Sequence, residues 1–400
     1  MKGVEKVERM NLTGGKKEKW PMVRLGDVCQ IVSGSTPKTH VSEYWNGTVK
    51  WVTPAEIKID SNYIHDTDRH LTEAGKLSAS LQLIPKGTVL LTSRAPIGKV
   101  AIAGDDMYCN QGFKNLICSP KIYNRYLFYF LKKNTHYLNS LGNGATFKEI
   151  SKKVVENILI PLPPLPEQQR IAAALDHVNS LIALRKAQIT QLDMLVKARF
   201  GEMFGDPVRN FMQWDTLTLN ELCDGIGDGL HGTPTYNENG NYPFINGNNL
   251  MDGKIVITES TKFVEKNEYN RLYIPIYQNA ILISINGTLG RVAYYNNEEV
   301  VLGKSVCYCN LKNTVIKVFI YEIMMSDAFK EFLESASTKS TIKNVGLKAM
   351  REYRVILPPI NLQEQFAGFV SQIDKSKFEI HNGLTQLKIL KKSLMQEYFG

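Results

Sequence analysis

Residues 161–207 read PLPPLPEQQRIAAALDHVNSLIALRKAQITQLDMLVKARFGEMFGDP, and residues 357–400 read LPPINLQEQFAGFVSQIDKSKFEIHNGLTQLKILKKSLMQEYFG. In both stretches a proline-rich segment comes directly before a long amphipathic segment. Proline has a fixed φ and no N–H, which suits a linker and the first turn of a helix. The two stretches therefore predict two long helices, each of which begins after a short hinge.

Apolar residues recur at intervals of seven along both predicted helices. In each helix, eight of the ten positions in the two heptad rows are apolar, which is typical of a coiled-coil seam. We expect the two helices to pair with each other, and the alternative is that each packs separately on its own domain. The predicted seam consists of Ile171, Leu175, Val178, Ile182, Ile189, Leu192, Val196, Ile373, Ile380, Leu384, Leu387 and Leu394.

The chain also repeats itself at a distance of about 195 residues. The run IPKGTVLLTSRAPIGKVAI, from Ile84, aligns with IYQNAILISINGTLGRVAY, from Ile276. Ordered matches along a whole chain indicate a duplication. Further matched pairs are Trp20 with Trp214, Thr36-Pro37 with Thr233-Pro234, Thr146-Phe147-Lys148 with Thr341-Ile342-Lys343, Pro163-Pro164 with Pro358-Pro359, and Phe204-Gly205 with Phe399-Gly400.

Each half begins with strand-like segments, continues with short helices and ends in one of the long helices. VRLGDVCQIVSG, IPKGTVLLTS and GKVAIA show β-branched alternation, whereas NRYLFYFLKKN and FIYEIMMSDAFKEFLES have helical character. The sequence predicts an α+β fold class with two pseudo-symmetric mixed α/β domains, joined and spaced by the two long helices. The predicted ranges are a polar tail at 1–19, domains at 20–163 and 206–360, and helices at 164–205 and 361–400.

The composition favours a polyanionic partner. The net charge is +9 and the pI is about 9.0, a balance common in nucleic-acid-binding proteins. The six cysteines contain no CxxC pair, so we expect reduced core thiols and no metal site. The sequence shows neither a signal peptide nor a membrane-spanning run, from which we expect a cytoplasmic protein.

Motifs for catalysis or cofactor binding are weak. Gly227–Gly232 fits GxGxxG, but Thr233-Pro234 follows where a helix would have to open, so the motif is interpreted as a loop. Glu56-Ile57-Lys58 resembles half of a nuclease ExK pair without an evident acidic partner. The sequence has no phosphate loop and no HExxH motif, and its seven histidines form no recognisable triad. We therefore predict no catalytic residues.

Basic residues and polar loops point to DNA. From Lys114 to Lys153 the chain has eight Lys or Arg and one Glu, interleaved with aromatics that we expect to fill the core. Lys and Arg neutralise phosphates, while Arg, Lys and Asn side chains can bond to base edges. For a single residue, ordinary turn chemistry is an alternative. The candidate DNA-binding residues are Ser35, Thr36, Lys38, Ser93, Arg94, Lys99, Lys114, Lys148, Thr233, Asn246, Asn248, Asn286, Arg291, Lys304 and Lys343.

Residues 161–207, the stretch from Leu357 to Gly400, and the run IPKGTVLLTSRAPIGKVAI with its counterpart resemble the specificity subunit of type I restriction-modification systems. The similarity covers nearly everything after residue 20, and its most specific part is the Pro-Pro-x-x-Glu-Gln junction with its helix. The chain departs from this pattern at Asn361–Gln365, where two extra residues would loosen the second junction and alter the helix register.

The resemblance implies that 20–163 and 206–360 are target-recognition domains, each reading one half of a split double-stranded DNA sequence. It also implies that the two helices pair as an antiparallel coiled coil and dock two methyltransferase (M) subunits, with restriction/translocase (R) subunits joining the complex. This chain would bind no cofactor, and S-adenosylmethionine, ATP and Mg would belong to the partners. Two alternatives are a self-contained DNA methyltransferase or nuclease and a coiled-coil scaffold that binds only protein.

Overall fold

The structure is a computed structural model that describes residues 20–58, 62–143 and 148–400. The predicted polar tail at 1–19 and the repeat match at Thr146-Phe147 lie outside the described residues. The chain divides into two compact units. The first unit ends at Leu184 and also includes Leu384–Gly400, and the second unit is Arg185–Gly383. Each unit therefore contains one globular domain and parts of both long helices.

The globular part of the first unit is built on two small sheets. A five-stranded sheet has the order β2-β9-β6-β7-β4, and a three-stranded sheet has the order β5-β3-β8. The elements are β1 (Met22–Arg24), α1 (Leu25–Val28), β2 (Cys29–Ser33), β3 (Trp45–Val52), β4 (Tyr63–Ile64), β5 (His70–Leu71), α2 (Glu73–Leu77), β6 (Val89–Leu91), β7 (Val100–Ala103), β8 (Tyr108–Cys109), β9 (Lys114–Cys118), α3 (Asn124–Lys133), α4 (Thr135–Ser140), α5 (Lys152–Glu156) and β10 (Leu159–Pro161).

The second unit repeats this arrangement. After the long helix α6 (Leu165–Phe204), its elements are β11 (Asp215–Thr218), α7 (Leu219–Leu222), β12 (Cys223–Asp228), β13 (Tyr242–Ile245), β14 (Leu250–Met251), β15 (Lys254–Ile255), β16 (Lys262–Val264), α8 (Lys266–Leu272), β17 (Ala280–Ser284), β18 (Val292–Tyr294), β19 (Val301–Leu302), β20 (Val306–Leu311), α9 (Lys317–Met325), α10 (Asp327–Ala336), α11 (Leu347–Glu352), β21 (Arg354–Leu357) and the long helix α12 (Ile360–Phe399).

The strand orders confirm the duplication that the sequence predicts. The order β12-β20-β17-β18 in the second unit matches β2-β9-β6-β7 in the first, and β16-β13-β19 matches β5-β3-β8. In both three-stranded sheets the central strand has one antiparallel and one parallel neighbour. An antiparallel pair, β1-β10 or β11-β21, lies just before each long helix. The α+β fold class with two pseudo-symmetric domains is therefore confirmed.

Two predicted elements are interrupted. The segment VRLGDVCQIVSG is not one strand, because the short helix α1 separates β1 from β2, and α7 does the same in the second unit. A capping box between Thr218 and Glu221 starts α7, which explains why the extended segment bends there. The segment FIYEIMMSDAFKEFLES forms two helices, because Ser326 adopts an extended conformation and caps α10.

A buried glutamine fixes the first hinge to its helix. Gln168 is fully buried, and its Nε2 donates to the carbonyl oxygen of Pro163 at 2.8 Å. Its Oε1 accepts from the backbone N–H of Tyr123 at 2.8 Å, at the start of α3. One amide side chain thus ties the helix to both the hinge and the globular domain.

The second hinge is built in the same way at an offset of 195 residues. Gln363 is fully buried, donates from Nε2 to the carbonyl oxygen of Pro358 at 2.8 Å, and accepts from the backbone N–H of Ile316 at 3.0 Å. The prediction of two extra residues at Asn361–Gln365 was therefore wrong. Gln363 is the equivalent of Gln168, whereas the similar-looking Glu364-Gln365 is exposed.

Within each unit the two long helices run antiparallel. In the first unit, the Arg170 guanidinium lies 6.0 Å from the ring centroid of Tyr398. In the second unit, the rings of Phe200 and Phe366 lie 5.6 Å apart, and Lys377 Nζ lies 2.5 Å from a carboxyl oxygen of Asp193. As the residue number rises along α6, the number of its partner on α12 falls. All twelve predicted seam residues are buried or half-buried, so the helices do pair.

The ends of the helices also enter the globular cores. Ile171, Leu175 and Phe399 belong to the core of the first unit, and Phe204 and Phe366 belong to that of the second. The alternative in which each helix packs on its own domain is thus partly true, because pairing and domain packing use the same face. None of the helices in the described ranges combines the length and apolarity that crossing a membrane requires.

Candidate nucleic-acid interface

The loop after β2 is held closely by the neighbouring strand. A Cβ at Gly34 would lie 2.0 Å from the carbonyl oxygen of Asn110, so only glycine fits there. The backbone N–H of Ser35 donates to Cys109 at 3.0 Å, and its carbonyl accepts from the Trp51 indole at 3.1 Å. Thr36 bonds to the side chains of Gln111 and Asn110.

The end of this loop reaches solvent. The backbone carbonyl of Lys38 accepts from the Trp45 indole at 3.3 Å, while the lysine residue as a whole is exposed. The loop therefore has a fixed backbone and presents one cation, which is the arrangement needed for a contact with phosphate.

The loop after β6 holds a charged cluster. Arg94 Nε donates to one oxygen of Glu149 at 2.8 Å, and Lys114 Nζ donates to the other at 3.0 Å. Burial works to raise the pKa of Glu149, but the hydrogen bonds from Lys114 and Arg94 outweigh it and hold that pKa below its ordinary value. The carboxylate is therefore ionised, and it orients the half-exposed Arg94.

Two predicted DNA contacts need correction. Ser93 is fully buried and Lys114 is 7% exposed, with its Nζ 3.5 Å from the Ser93 hydroxyl. Because both residues are buried and Lys114 pairs with Glu149, neither side chain is presented to a partner. Lys99 is half-buried and Lys148 is exposed, so both have access to solvent.

The basic stretch from Lys114 to Lys153 is less superficial than its charge predicts. Arg125 is buried and forms an ion pair with Asp176, and its Nη2 donates to the Tyr129 hydroxyl at 3.2 Å. The aromatic residues Tyr126, Phe128, Tyr129 and Phe130 are core residues, as expected, but the prediction was wrong for Tyr137, which is 50% exposed. Part of the positive charge of this stretch is thus paired inside the protein and does not face solvent.

In the second unit the loop after β12 repeats the close approach. A Cβ at Gly229 would lie 2.1 Å from the carbonyl oxygen of Leu302. His231 Nε2 lies 2.6 Å from the carboxyl of Asp228, and Thr233 beyond it is exposed. Because no helix follows, the GxGxxG segment is the end of a strand and a loop, as interpreted.

The turn at Asn246 is fixed by its own side chains. Asn246 Oδ1 accepts from the backbone N–H of Asn248 at 2.9 Å, and its backbone N–H donates to Asn249 Oδ1 at 3.0 Å. The guanidinium of Arg291 donates to the carbonyl oxygen of Asn248 at 3.2 Å. Asn246 and Arg291 therefore shape the turn, and the exposed Asn248 is its outward residue.

A polar cleft of about 440 Å³ lies between the loops of the second unit. At one side, Asn286 Nδ2 donates to Asn344 Oδ1 at 3.0 Å. Lys304 is exposed at the edge, while Lys343 forms an ion pair with Glu334. The cleft is lined by Asp228, His231, Ile285, Asn286, Lys304, Asn344, Val345, Gly346 and Leu347.

Sequence reasoning missed three participants in these sites: Glu149, Asn344 and Asp228. Glu149 and Asn344 are more than 50 residues from their partners, so no local pattern predicts those contacts, whereas Asp228 is only three residues from His231 and a local pattern could have found it. The constant repeat offset could have paired Glu149 with Asn344. The half motif at Glu56 is structural, since its carboxyl accepts from the backbone N–H groups of Thr53 and Asp68.

Metal or thiol chemistry finds no support in the part of the chain that the structure describes. No group of three or more His, Cys, Asp or Glu side chains there is arranged to hold a metal ion. The six cysteines are free thiols, as expected, and burial raises the pKa of Cys109 to about 12. A thiol with such a pKa is a poor nucleophile at neutral pH.

The family model "Type I restriction modification DNA specificity domain" matches residues 17–194 and again 212–388. A type I restriction enzyme MjaIX specificity subunit from Methanocaldococcus jannaschii is 29% identical over 93% of this chain and 90% of its own length. The EcoKI specificity subunit from Escherichia coli is 22% identical over 97% of this chain and 90% of its own length.

Two solved structures share the fold. The S subunit of a type I restriction-modification system from M. genitalium has a TM-score of 0.59 at 16% identity, covering 97% of this chain and 98% of that chain. A chain from a type I R-M system studied for complex assembly and conformational transition has a TM-score of 0.61 at 21% identity, covering 95% and 97%. Both likenesses extend over the two domains and the two long helices.

Proposed function

Because the chain belongs to the type I restriction modification DNA specificity family, we propose that each of its units reads one half of a split double-stranded DNA target. The chain is a specificity subunit, a non-catalytic component whose enzymatic partners carry out the chemistry. The observation that carries the proposal is the paired site: Arg94 with Glu149 in one unit, and Asn286 with Asn344 at the equivalent place in the other.

The same sheet frame with different loop residues suits the reading of two different half-sites. Fixed backbones and exposed cations such as Lys38 and Lys304 supply affinity for phosphates, which carries no sequence information. Side chains such as Arg94 and Asn286 have the donors and acceptors that distinguish bases in the major groove. The family match favours this reading over a self-contained methyltransferase or nuclease and over a protein-only scaffold.

The long helices are proposed as the docking surface for two methyltransferase subunits, with restriction/translocase subunits joining the assembly. Support comes from apolar side chains on their solvent side, since Leu184, Met194 and Phe378 are each at least 60% exposed. Exposed apolar residues on a paired helix are typical of a protein interface. S-adenosylmethionine, ATP and Mg are expected to bind to those partners and not to this chain.

A domain exchange tests the proposal. Residues 20–160 are replaced by the equivalent domain of a relative, and the complex with the methyltransferase subunit is used to select binding sites from a random DNA pool. We expect one half of the selected target to change and the other to stay. A change in both halves, or salt-independent binding without any split site, would contradict independent reading. The chain without its partner should transfer no methyl group.

A further inference from the structure

Arg94 and Asn286 occupy one equivalent position in the two units. Each lies in the loop between two antiparallel strands, β6-β7 or β17-β18. Each also forms an isolated antiparallel bridge with a distant segment, Arg94 with Glu149 and Asn286 with Asn344. The frame is thus the same, and the chemistry of the pair differs: an ion pair in one unit and two amides in the other.

In the first unit, the ion pair engages Nε of the guanidinium and leaves the side chain partly exposed. Glu149 accepts from Nε of Arg94 at 2.8 Å, and the Arg94 side chain is 47% exposed. A guanidinium fixed through Nε presents its terminal N–H groups in parallel. Two parallel donors match the O6 and N7 acceptors of guanine in the major groove.

In the second unit, the amide pair presents a donor beside an acceptor. The hydrogen bond from Asn286 Nδ2 to Asn344 Oδ1 uses one half of each amide. Both asparagines line a cleft, and this bond leaves the carbonyl oxygen of Asn286 and the amino group of Asn344 for a ligand. An acceptor beside a donor matches N6–H and N7 of adenine, and reversing both amide assignments preserves this pattern.

We propose that this shared position chooses one base in each half-site: Arg94, held by Glu149, reads a guanine, and the Asn286–Asn344 pair reads an adenine. The inference rests on the proposed function, because it assigns the base class that each unit recognises. It explains why the frame is duplicated while the residues at its contact point differ.

The first test uses base analogues in the selected target, bound to the full chain in complex with its methyltransferase subunit. Replacing the N7 atom by carbon (7-deazaguanine or 7-deazaadenine) removes one acceptor without altering Watson–Crick pairing. We expect a single 7-deazaguanine in the first half-site, and a single 7-deazaadenine in the second, to weaken binding about tenfold.

Coupling between analogue and variant identifies the contact. Arg94→Ala should weaken binding to the natural target. In this variant, the 7-deazaguanine should then cause no further loss of affinity. Asn286→Ala should behave in the same way toward the 7-deazaadenine. The controls are the crossed combinations, Arg94→Ala with 7-deazaadenine and Asn286→Ala with 7-deazaguanine. In each, the losses of binding free energy from the variant and from the analogue should add.

An exchange of residues tests the assignment in the other direction. The double variant Asn286→Arg with Asn344→Glu places the pair of the first unit in the second. Site selection should then give guanine in place of adenine at one position of the second half-site, with the first half-site unchanged. Asn313→Arg, which adds a cation at an exposed turn outside the candidate DNA-binding residues, should leave the base preference as it was.

The outcomes separate the inference from the proposed function. If the wild-type complex selects a split site but no 7-deaza position weakens its binding, or if all losses add, this inference is wrong and the proposed function stands. The analogue measurement on the wild-type complex decides this even where a variant fails to fold. If the wild-type complex selects no split site, the proposed function itself fails.

Discussion

Lys99 and Arg291 follow the same turn in the two units, and their backbone N–H groups make matching bonds to Thr92 and Ser284 hydroxyls at 3.0 and 2.8 Å. We predict that Lys99→Ala weakens binding to all sequences and lowers the slope of log affinity against log salt by about one, because one phosphate contact is lost. Titrations from low to high salt measure this slope, and Lys99→Arg should retain it. An unchanged slope would assign Lys99 to solvent.

The guanidinium of Arg291 has an additional structural contact. Because it donates to the carbonyl oxygen of Asn248, Arg291→Ala should both lower the salt slope and loosen the turn at Asn246. Arg291→Lys keeps the charge but not the geometry of the guanidinium. Compared with Arg291→Ala, it should therefore restore the salt slope of the wild type more completely than it restores the base preference of the wild type.

Glu322 gives the second unit a pH-dependent stability. Burial raises its pKa from 4.5 to about 7, so the folded state binds more protons than the unfolded state between these values. The free energy of unfolding should therefore fall as pH rises from about 4.5 to about 7 and level off above. Charged groups on the two long helices near Glu322 are Lys377, Lys197, Asp374 and Asp193.

Glu322→Gln should remove this dependence and stabilise the protein by about 1–3 kcal/mol at pH 8. Urea unfolding at pH 5 and pH 8 measures the difference. Glu331→Gln, at an exposed site on the next helix, is the matched control and should change nothing. Parallel pH profiles for Glu322→Gln and the wild type would refute the assignment.

At the scale of elements, each hinge depends on one buried amide. Gln168→Ala removes three hydrogen bonds, to Pro163, Tyr123 and Lys121, and leaves buried backbone groups unpaired. Each such group costs about 1–3 kcal/mol, so we predict a loss of about 2–4 kcal/mol in denaturant unfolding. Gln169→Ala, at the exposed neighbouring position, should cost less than about 0.5 kcal/mol.

The elements show which features local patterns can predict. The heptad rows and hinge prolines predicted both long helices to within a few residues, because helix periodicity and φ restrictions are local properties. The register of the second junction was predicted wrongly because Glu364-Gln365 looks like the first motif, and only burial identifies Gln363 as the equivalent residue. The interruptions at α1 and α7 are four-residue turns, too short for a periodic signal.

At the scale of the whole molecule, the end of the chain stabilises its beginning. The ring of Phe399 lies 5.2 Å from that of Tyr126 and 6.0 Å from that of Phe130, all within the first unit. We predict that Phe399→Ala destabilises the first unit by about 2–4 kcal/mol, as for other buried aromatic truncations. Hydrogen exchange of residues 20–184 measures it, and Phe211→Ala, at a largely exposed ring, is the control. Equal exchange in both variants would contradict the prediction.

The duplication itself was readable from the sequence, because ordered matches at a nearly constant offset need no knowledge of contacts. Only part of the candidate site could be predicted from the sequence. Arg94 and Asn286 lie in recognisable turn segments, but Glu149 and Asn344 reach them from about 55 residues away. Lys114 was predicted to be a surface cation because the sequence shows its charge but not its burial. Pairings of this kind come from the tertiary fold.

The membership of Leu384–Gly400 in the first unit has a consequence for biosynthesis. At about 5–20 residues per second, the ribosome needs on the order of 10–40 s to move from Leu184 to Leu384. During this time Phe399 has not been synthesised, so its ring does not yet cover Tyr126 and Phe130. A product that stops before Leu384 therefore has an open apolar core in its first unit, which chaperones and proteases can recognise before it competes for partners.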